Sequence, residues 1–208
     1  MKLPSIEVIF FDFGGVLAEE GFRKGLTSIA HLNGLDPGPF LKTAFEITFG
    51  NGFVIGKSDE KTFWQTLRKR TGIVGSDRAL RNEILPRFEL RVWMLNLIKK
   101  LRRSSIRSAI LSDQTNWLDE LEAQNNFFKW FDRVFNSYHL GKSKKDPTLF
   151  DDVVDEMDTI PERALFVDDD RGNIERAGQK GLHAIHYQSR QTFERDLFSF
   201  FPFLKTIP

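Results

Sequence analysis

The feature that most constrains this chain is a recurring unit: a short apolar run that stops at a polar residue, followed by helical periodicity. Ile6 to Phe11 is β-branched and aromatic, breaks at Asp12 and runs into Gly14 and Gly15. That pattern predicts a buried strand feeding a tight turn. Ser108 to Leu111 stops at Ser112, Val134 and Phe135 form a further short run, and Ala164 to Val167 ends in Asp168, Asp169 and Asp170. A last run covers His183 to Tyr187. Between them, Leu90, Trp93, Met94, Leu97, Ile98 and Leu101 recur at i, i+3, i+4 spacing, which predicts an amphipathic helix. Further helices are predicted from about Asn116, from Asp146-Pro147 with proline at the first helical position, and after Arg171 as far as Gly178 or Gly181. Strands alternating with helices of ten or more residues predict an α/β fold built on a parallel sheet.

One stretch departs from the alternation. From Leu17 to Glu89 the pattern is helical and broken only by Gly and Pro, with its clearest helix predicted to start at Ser58 and stop at Gly72. This predicts an insertion over residues 17–90 in a sheet-bearing core made of 1–16 and 91–208. A chain of 208 residues with 21 Phe and 4 Trp has the material for a substantial core. The C-terminal Phe193, Leu197, Phe198, Phe201 and Leu204 are predicted to form one packed face.

Composition excludes several classes. Thirty Lys and Arg against 29 Asp and Glu leave a charge of +1, which offers no case for a nucleic-acid binder or a membrane-surface protein. The basic run Lys99, Lys100, Arg102, Arg103 and Arg107 is expected to be solvated surface, four of its cations falling in the last turn of a helix where the dipole favours them. No cysteine is present, so a disulfide framework, a thiolate metal site and a cysteine nucleophile are excluded together. The N-terminal apolar run is too short for a secretory leader and no run approaches the roughly 18 residues of a membrane span. The expected address is the cytoplasm.

In an open parallel sheet, ligands bind beyond the carboxyl ends of the strands. Asp12, Ser112 and Asp168 to Asp170 all follow strands, and Lys144 lies in a loop that the topology brings to the same rim. Carboxylates gathered this closely call for a cation, and with oxygen donors only, the ion is a hard one, Mg²⁺. His183 and His186, three apart on a strand, face opposite ways and cannot chelate together. A hydroxyl at Ser112 and a point charge at Lys144 complete a site for a phosphoryl group, with Asp12 as a carboxylate nucleophile. Taken singly, each residue has a plainer role: turn aspartate, helix cap, loop lysine. Four such signals in order, three directly after strands, favour the chemical one.

The segments "VIFFDFGGVLAE", "AILSDQ", "LGKSKKDPTLF" and "ALFVDDDRGNIERAGQKGLHAI" resemble, in order and spacing, the motifs of the haloacid dehalogenase-like hydrolase superfamily. "GKSDEKTFWQTL" is similar to a helix of its small cap. The resemblance covers nearly the whole chain and implies a Rossmann-like parallel sheet flanked by helices, with a small α-helical cap inserted after the first strand. It also implies a Mg²⁺-dependent phosphohydrolase of small phosphorylated metabolites. Asp12 would take the phosphoryl group as an aspartyl-phosphate, Ser112 would bind a phosphoryl oxygen, and Lys144 would balance charge. Mg²⁺ would be held by Asp12, the Gly14 carbonyl and Asp169, with Asp168 in or just behind that shell and Asn173 ligating or orienting water.

The chain departs from that pattern at informative places. Gly14 stands where most such phosphatases carry an aspartate as general acid, a loss worth about 10² to 10⁴-fold. A branch of the superfamily has Gly here, and some of its members act on sugar phosphates. Good leaving groups, such as a sugar 1-phosphate or an acyl phosphate, would suffer least. Asp113 replaces the usual Asn and is a candidate substitute acid beside the phosphate. The alternatives are a non-catalytic module that binds a phospholigand or partner, and a 2-haloacid dehalogenase, which the acidic cation site disfavours. Phe22, Arg23, Phe45, Phe49 and Trp64 are candidates for lining the cleft.

Overall fold

The protein is described here by a computed structural model covering residues 5–205; the outermost residues of the predicted core segments 1–16 and 91–208 lie outside the described residues. Five strands, β1 (Val8–Phe11), β2 (Arg107–Ser112), β3 (Arg133–Asn136), β4 (Ala164–Asp168) and β5 (His183–His186), form one parallel sheet in the order β3-β2-β1-β4-β5. Four helices lie between β1 and the segment returning to the sheet: α1 (Gly21–Leu32), α2 (Pro37–Gly50), α3 (Glu60–Thr71) and α4 (Asp77–Asn82). The core helices follow as α5 (Val92–Arg103), α6 (Trp117–Asn125), α7 (Ser137–Leu140), α8 (Thr148–Glu156), α9 (Arg171–Gln179) and α10 (Arg190–Phe200). The predicted α/β architecture is therefore the observed one.

The central strand is apolar on both faces because helices cover both. Ile9 and Phe11 join Ile110, Leu165 and Val167 in a core closed by α5, α6 and α10, whereas Val8 and Phe10 face α8 and α9 through Phe150, Val153 and Ala177. Phe193, Leu197, Phe201 and Leu204 are buried in the first of these cores with Phe198 packed against it, so the C-terminal segment is one packed face. Among the described residues no helix is long and apolar enough to cross a membrane. The predicted basic run is dispersed: Lys99 stacks on Trp130, Arg102 donates to the Lys129 carbonyl, and Arg107 lies on β2 and donates to Met157 and Asp158 carbonyls.

Two predicted helix starts shift by one position. Asp59, not Ser58, caps α3, accepting from the Thr62 N–H at 2.8 Å, because a carboxylate is the stronger acceptor for that orphan donor. Pro147 is the cap of α8 rather than its first residue.

The segment between β1 and β2 is tied to the sheet at its two crossing points. Ala18 pairs antiparallel with Leu90, the Glu19 N–H donates to the Glu89 carbonyl at 2.9 Å, and the Arg91 N–H donates to the Leu17 carbonyl at 2.8 Å. Arg91 fastens this crossing further, donating to the Gly15 and Val16 carbonyls and pairing with Glu19 at 3.0 Å. Beyond it, Phe22, Phe53, Phe63 and Trp64 pack around Trp117 of α6 with ring centroids 5.8 to 6.3 Å from the Trp117 ring. Glu60 accepts from both indole N–H groups, at 2.9 Å from Trp64 and 3.0 Å from Trp117. Buried indoles need such acceptors, and each aromatic pair adds about 0.5–1.5 kcal/mol beyond its buried area.

Candidate active site

The strand order places the topological switch at β1: the chain winds toward β2 and β3 on one side and β4 and β5 on the other. A crevice opens at the carboxyl ends of strands diverging in this way. Phe11 is in register with Ile110 of β2 and Val167 of β4, and the Asp12 N–H donates to the Val167 carbonyl at 2.9 Å. The carboxyl-end residues Asp12, Ser112 and Asp168 are thereby brought to one rim.

Lys144 is the hinge of the arrangement. Its Nζ lies 3.0 Å from Asp12 Oδ1 and 2.6 Å from Asp168 Oδ2, and the residue is 0% exposed. The loop carrying it is held from two sides: Asp113 Oδ1 accepts from the Lys144 N–H at 2.8 Å, and Arg176 donates to the Lys144 carbonyl at 2.8 Å. Asp168 is fixed by the Asp170 N–H at 2.7 Å and by Asn173 Nδ2 at 3.1 Å. Asn173 Oδ1 accepts in turn from Arg176 at 2.5 Å, so both ends of its amide are engaged and Nδ2 is the end turned to Asp168. Asp12 accepts from the Phe13 N–H at 2.7 Å and from the Ser112 hydroxyl.

Burial opposes the charge on Lys144, but Asp12, Asp168 and Asp113 together outweigh it and hold the ammonium protonated above its ordinary range. The carboxylates move the same way for a different reason. Burial raises Asp12 against the pull of Lys144, and burial with repulsion from Asp12 pushes Asp168 up to about 6 despite the lysine. Asp169 is raised by burial and by Asp168. One ammonium cannot balance three acids, and Asp12, Asp168 and Asp169 each offer an oxygen within 4.8 Å of the others. An all-oxygen donor set carrying surplus negative charge fits a hard divalent cation.

The cleft above these residues has a volume of about 200 Å³. Its floor is Asp12, Gly14, Ser112 and Asp169, and its far wall is Phe22, Arg23, Phe45 and Phe49 from α1 and α2. Arg23 lies over the Phe45 ring at 5.1 Å and Lys145 over Phe49 at 3.5 Å, so cations border the apolar wall. Four of the five predicted cleft residues are in place. Trp64 is not among them: it is completely buried on the inner face of α3 against Phe63 and Trp117. Helical spacing shows that an aromatic has an inner face but not which partner covers it. The structure adds Glu20, Gln114 and Thr115 to the lining, none of them singled out by sequence. Gln114 ends the β2 motif, Thr115 follows it directly and Glu20 follows the first motif, so adjacency to a strand-end motif was the available signal.

A family model for haloacid dehalogenase-like hydrolases matches residues 6–178. The chain belongs to that family. Its members' hydrolase character applies to it as a class, in agreement with the resemblance of its four strand-end motifs. A D-ribitol-5-phosphate phosphatase of Bacteroides thetaiotaomicron is 24% identical over 200 residues, covering 92% of this chain and 97% of that protein. A drimenol cyclase of Aspergillus calidoustus is 31% identical over 71 residues, 34% of this chain and 13% of the cyclase, and so shares a segment only. Among solved structures, a haloacid dehalogenase family enzyme of B. thetaiotaomicron superposes with a TM-score of 0.75 at 20% identity, covering 92% of this chain and 98% of that one. A structure of that enzyme with magnesium and inorganic phosphate gives a TM-score of 0.70 at 20% identity, covering 89% and 96%. A haloacid dehalogenase-like hydrolase of Porphyromonas gingivalis gives 0.68 at 22%, covering 93% and 98%. These structures show the shared fold.

Proposed function

We propose that this hydrolase is a Mg²⁺-dependent phosphatase of small phosphorylated metabolites, sugar or polyol phosphates among them, that works through an aspartyl-phosphate on Asp12. The observation that carries this reading is the buried Asp12–Lys144–Asp168 cluster at the floor of an open cleft, with Asp169 beside it. The full-length similarity to a polyol-phosphate phosphatase supports the substrate class. Residues 17–90 act in this reading as a cap that selects the substrate through Phe22, Arg23, Phe45 and Phe49.

Asp12, Asp169 and the Gly14 carbonyl would hold Mg²⁺, with Asp168 behind them and Asn173 orienting Asp168. The ion supplies charge neutralisation for the phosphoryl oxygens. Asp12 attacks phosphorus and carries the phosphoryl group until water releases it. Ser112 donates its hydroxyl to a phosphoryl oxygen. Lys144 keeps Asp12 ionised between the other acids and supplies the positive charge that the transferring group needs. Asp113 acts through the loop, fixing Lys144 by its main chain. The deciding experiment is hydrolysis of a panel of phosphomonoesters with Mg²⁺ and with EDTA. Turnover that requires Mg²⁺ is expected on at least one small sugar or polyol phosphate, and no turnover on any member would overturn the reading.

Gly15 supplies a second prediction about the cation. Its φ is +80°, and a Cβ there would stand 2.3 Å from Asp169 Oδ2. Gly15→Ala therefore combines a left-handed backbone penalty of about 1 kcal/mol with displacement of a ligand carboxylate. The expected outcome is a modest loss of unfolding free energy and a larger loss of Mg²⁺ affinity, read by chemical denaturation and by Mg²⁺ titration of thermal stability.

A further inference from the structure

The glycine at position 14 removes the acid expected above the nucleophile, and the structure shows what stands near the vacated place. A Cβ built on Gly14 would lie 3.9 Å from Glu20 Oε1, with only the Phe88 ring closer, at 3.5 Å. An aspartate at 14 would carry its own carboxyl oxygens about two bonds beyond that Cβ, so Glu20 brings a carboxyl from another segment to the same neighbourhood. Glu20 also lines the cleft together with Asp12, Gly14 and Asp169. Its backbone position is not adjustable at random: Glu20 caps α1, Oε2 accepting from the Arg23 N–H at 2.8 Å, which leaves Oε1 as the free carboxyl oxygen.

Resting on the phosphatase reading, we propose that Glu20 is the proton donor to the leaving group, replacing from the N-cap of α1 the acid absent at position 14. In the first step an Asp12 oxygen bonds to phosphorus while the ester P–O bond breaks, and the leaving oxygen takes the Glu20 proton to depart as an alcohol. In the second, water bonds to phosphorus while the Asp12–phosphorus link breaks. The water proton passes to solvent, from which Glu20 is reprotonated, leaving inorganic phosphate and the free Asp12 carboxylate. The substrate class widens accordingly. Phosphates of ordinary alcohols, whose alkoxides need a proton to leave, become competent substrates alongside acyl and sugar 1-phosphates.

The surroundings of Glu20 agree with this role. Burial raises its carboxyl above the ordinary glutamate range, and the repulsion of Asp169 and Asp12 adds to that. The Arg23 N–H and the Arg23 guanidinium act in the opposite direction without reversing it. The other candidate, Asp113, also borders the cleft, but no atom of it comes within 4 Å of a Cβ at Gly14.

The test compares leaving groups in the intact protein. Glu20→Gln keeps an amide oxygen to cap α1 but has no proton to give. It is expected to lower kcat about 10²-fold on an alkyl phosphate such as ribitol 5-phosphate and to leave p-nitrophenyl phosphate, whose phenolate departs unaided, within about threefold. Adding Gly14→Asp to Glu20→Gln should restore alkyl-phosphate turnover, since its Cβ meets nothing closer than 3.5 Å. Equal losses on both substrates, or no loss on either, would overturn the role of Glu20 while leaving phosphatase activity standing. A wild-type protein inactive on every phosphomonoester of the panel would overturn the phosphatase reading itself, and this role with it.

Discussion

Asp12→Asn is expected to remove turnover, lowering kcat by at least about 10³-fold on every phosphate substrate while the protein stays folded. The reasoning separates chemistry from stability. An amide cannot form the aspartyl-phosphate, and no other carboxylate occupies the end of β1. In the folded protein, however, the Asp12 charge is a burden, since burial raises its pKa against the pull of Lys144. The substitution keeps an oxygen for the Phe13 N–H, which Asp12 now binds at 2.7 Å, and Lys144 retains Asp168. Unfolding free energy should therefore hold or rise in the absence of Mg²⁺. Steady-state kinetics beside a denaturation curve check both halves. Activity that survives Asp12→Asn would place the nucleophile elsewhere.

Lys144→Met is expected to give the largest loss of stability of any single change at the site. Lys144 is fully buried, and its ammonium is the shared counter-ion of Asp12 and Asp168 at 3.0 and 2.6 Å. Removing one member of a buried ionic group leaves the rest uncompensated, an effect of about 3–5 kcal/mol. The sign with pH follows from the carboxylates left behind. Protonating them relieves the repulsion, so the variant should lose less stability near pH 5 than near pH 8. A double variant, Lys144→Met with Asp168→Asn, should recover part of the loss without recovering activity. Urea unfolding of both variants at the two pH values is the measurement. A Lys144→Met protein as stable as the parent would show that the cluster is solvated, and the buried-pair account would fall.

Much of this site is legible in the sequence because parallel sheets convert order along the chain into position in space. A residue that follows a strand comes to the carboxyl rim whatever lies between the strands, which is why Asp12, Ser112, Asp168 and Asp169 could be assigned together across more than 150 positions. Lys144 was legible only as part of that set, since nothing in "GKSKKDP" distinguishes it from Lys142 or Lys145. The structure separates them by burial: Lys144 reaches the interior, whereas Lys145 lies on the Phe49 ring. Helical periodicity was a weaker guide in the inserted segment. Phe22 and Trp64 are alike candidates for lining the cleft, but one borders it and the other is enclosed against Trp117.

Local patterning by itself determined the α/β class, the strand-end acids and the helical stretch after the first strand, because each of these depends on periodicity, turn residues and order. Tertiary structure alone decided which side chains meet. It turned Asn173 toward Asp168, closed Asp113 onto the Lys144 main chain, and brought Glu20 and Phe88 beside Gly14. These are contacts between segments whose separation in the chain carries no distance information. Glu20 is placed where the segment between β1 and β2 crosses back at Arg91, and the other two contacts where α9 and the loop carrying Lys144 meet the strand ends, which are properties of packing rather than of any local run of residues.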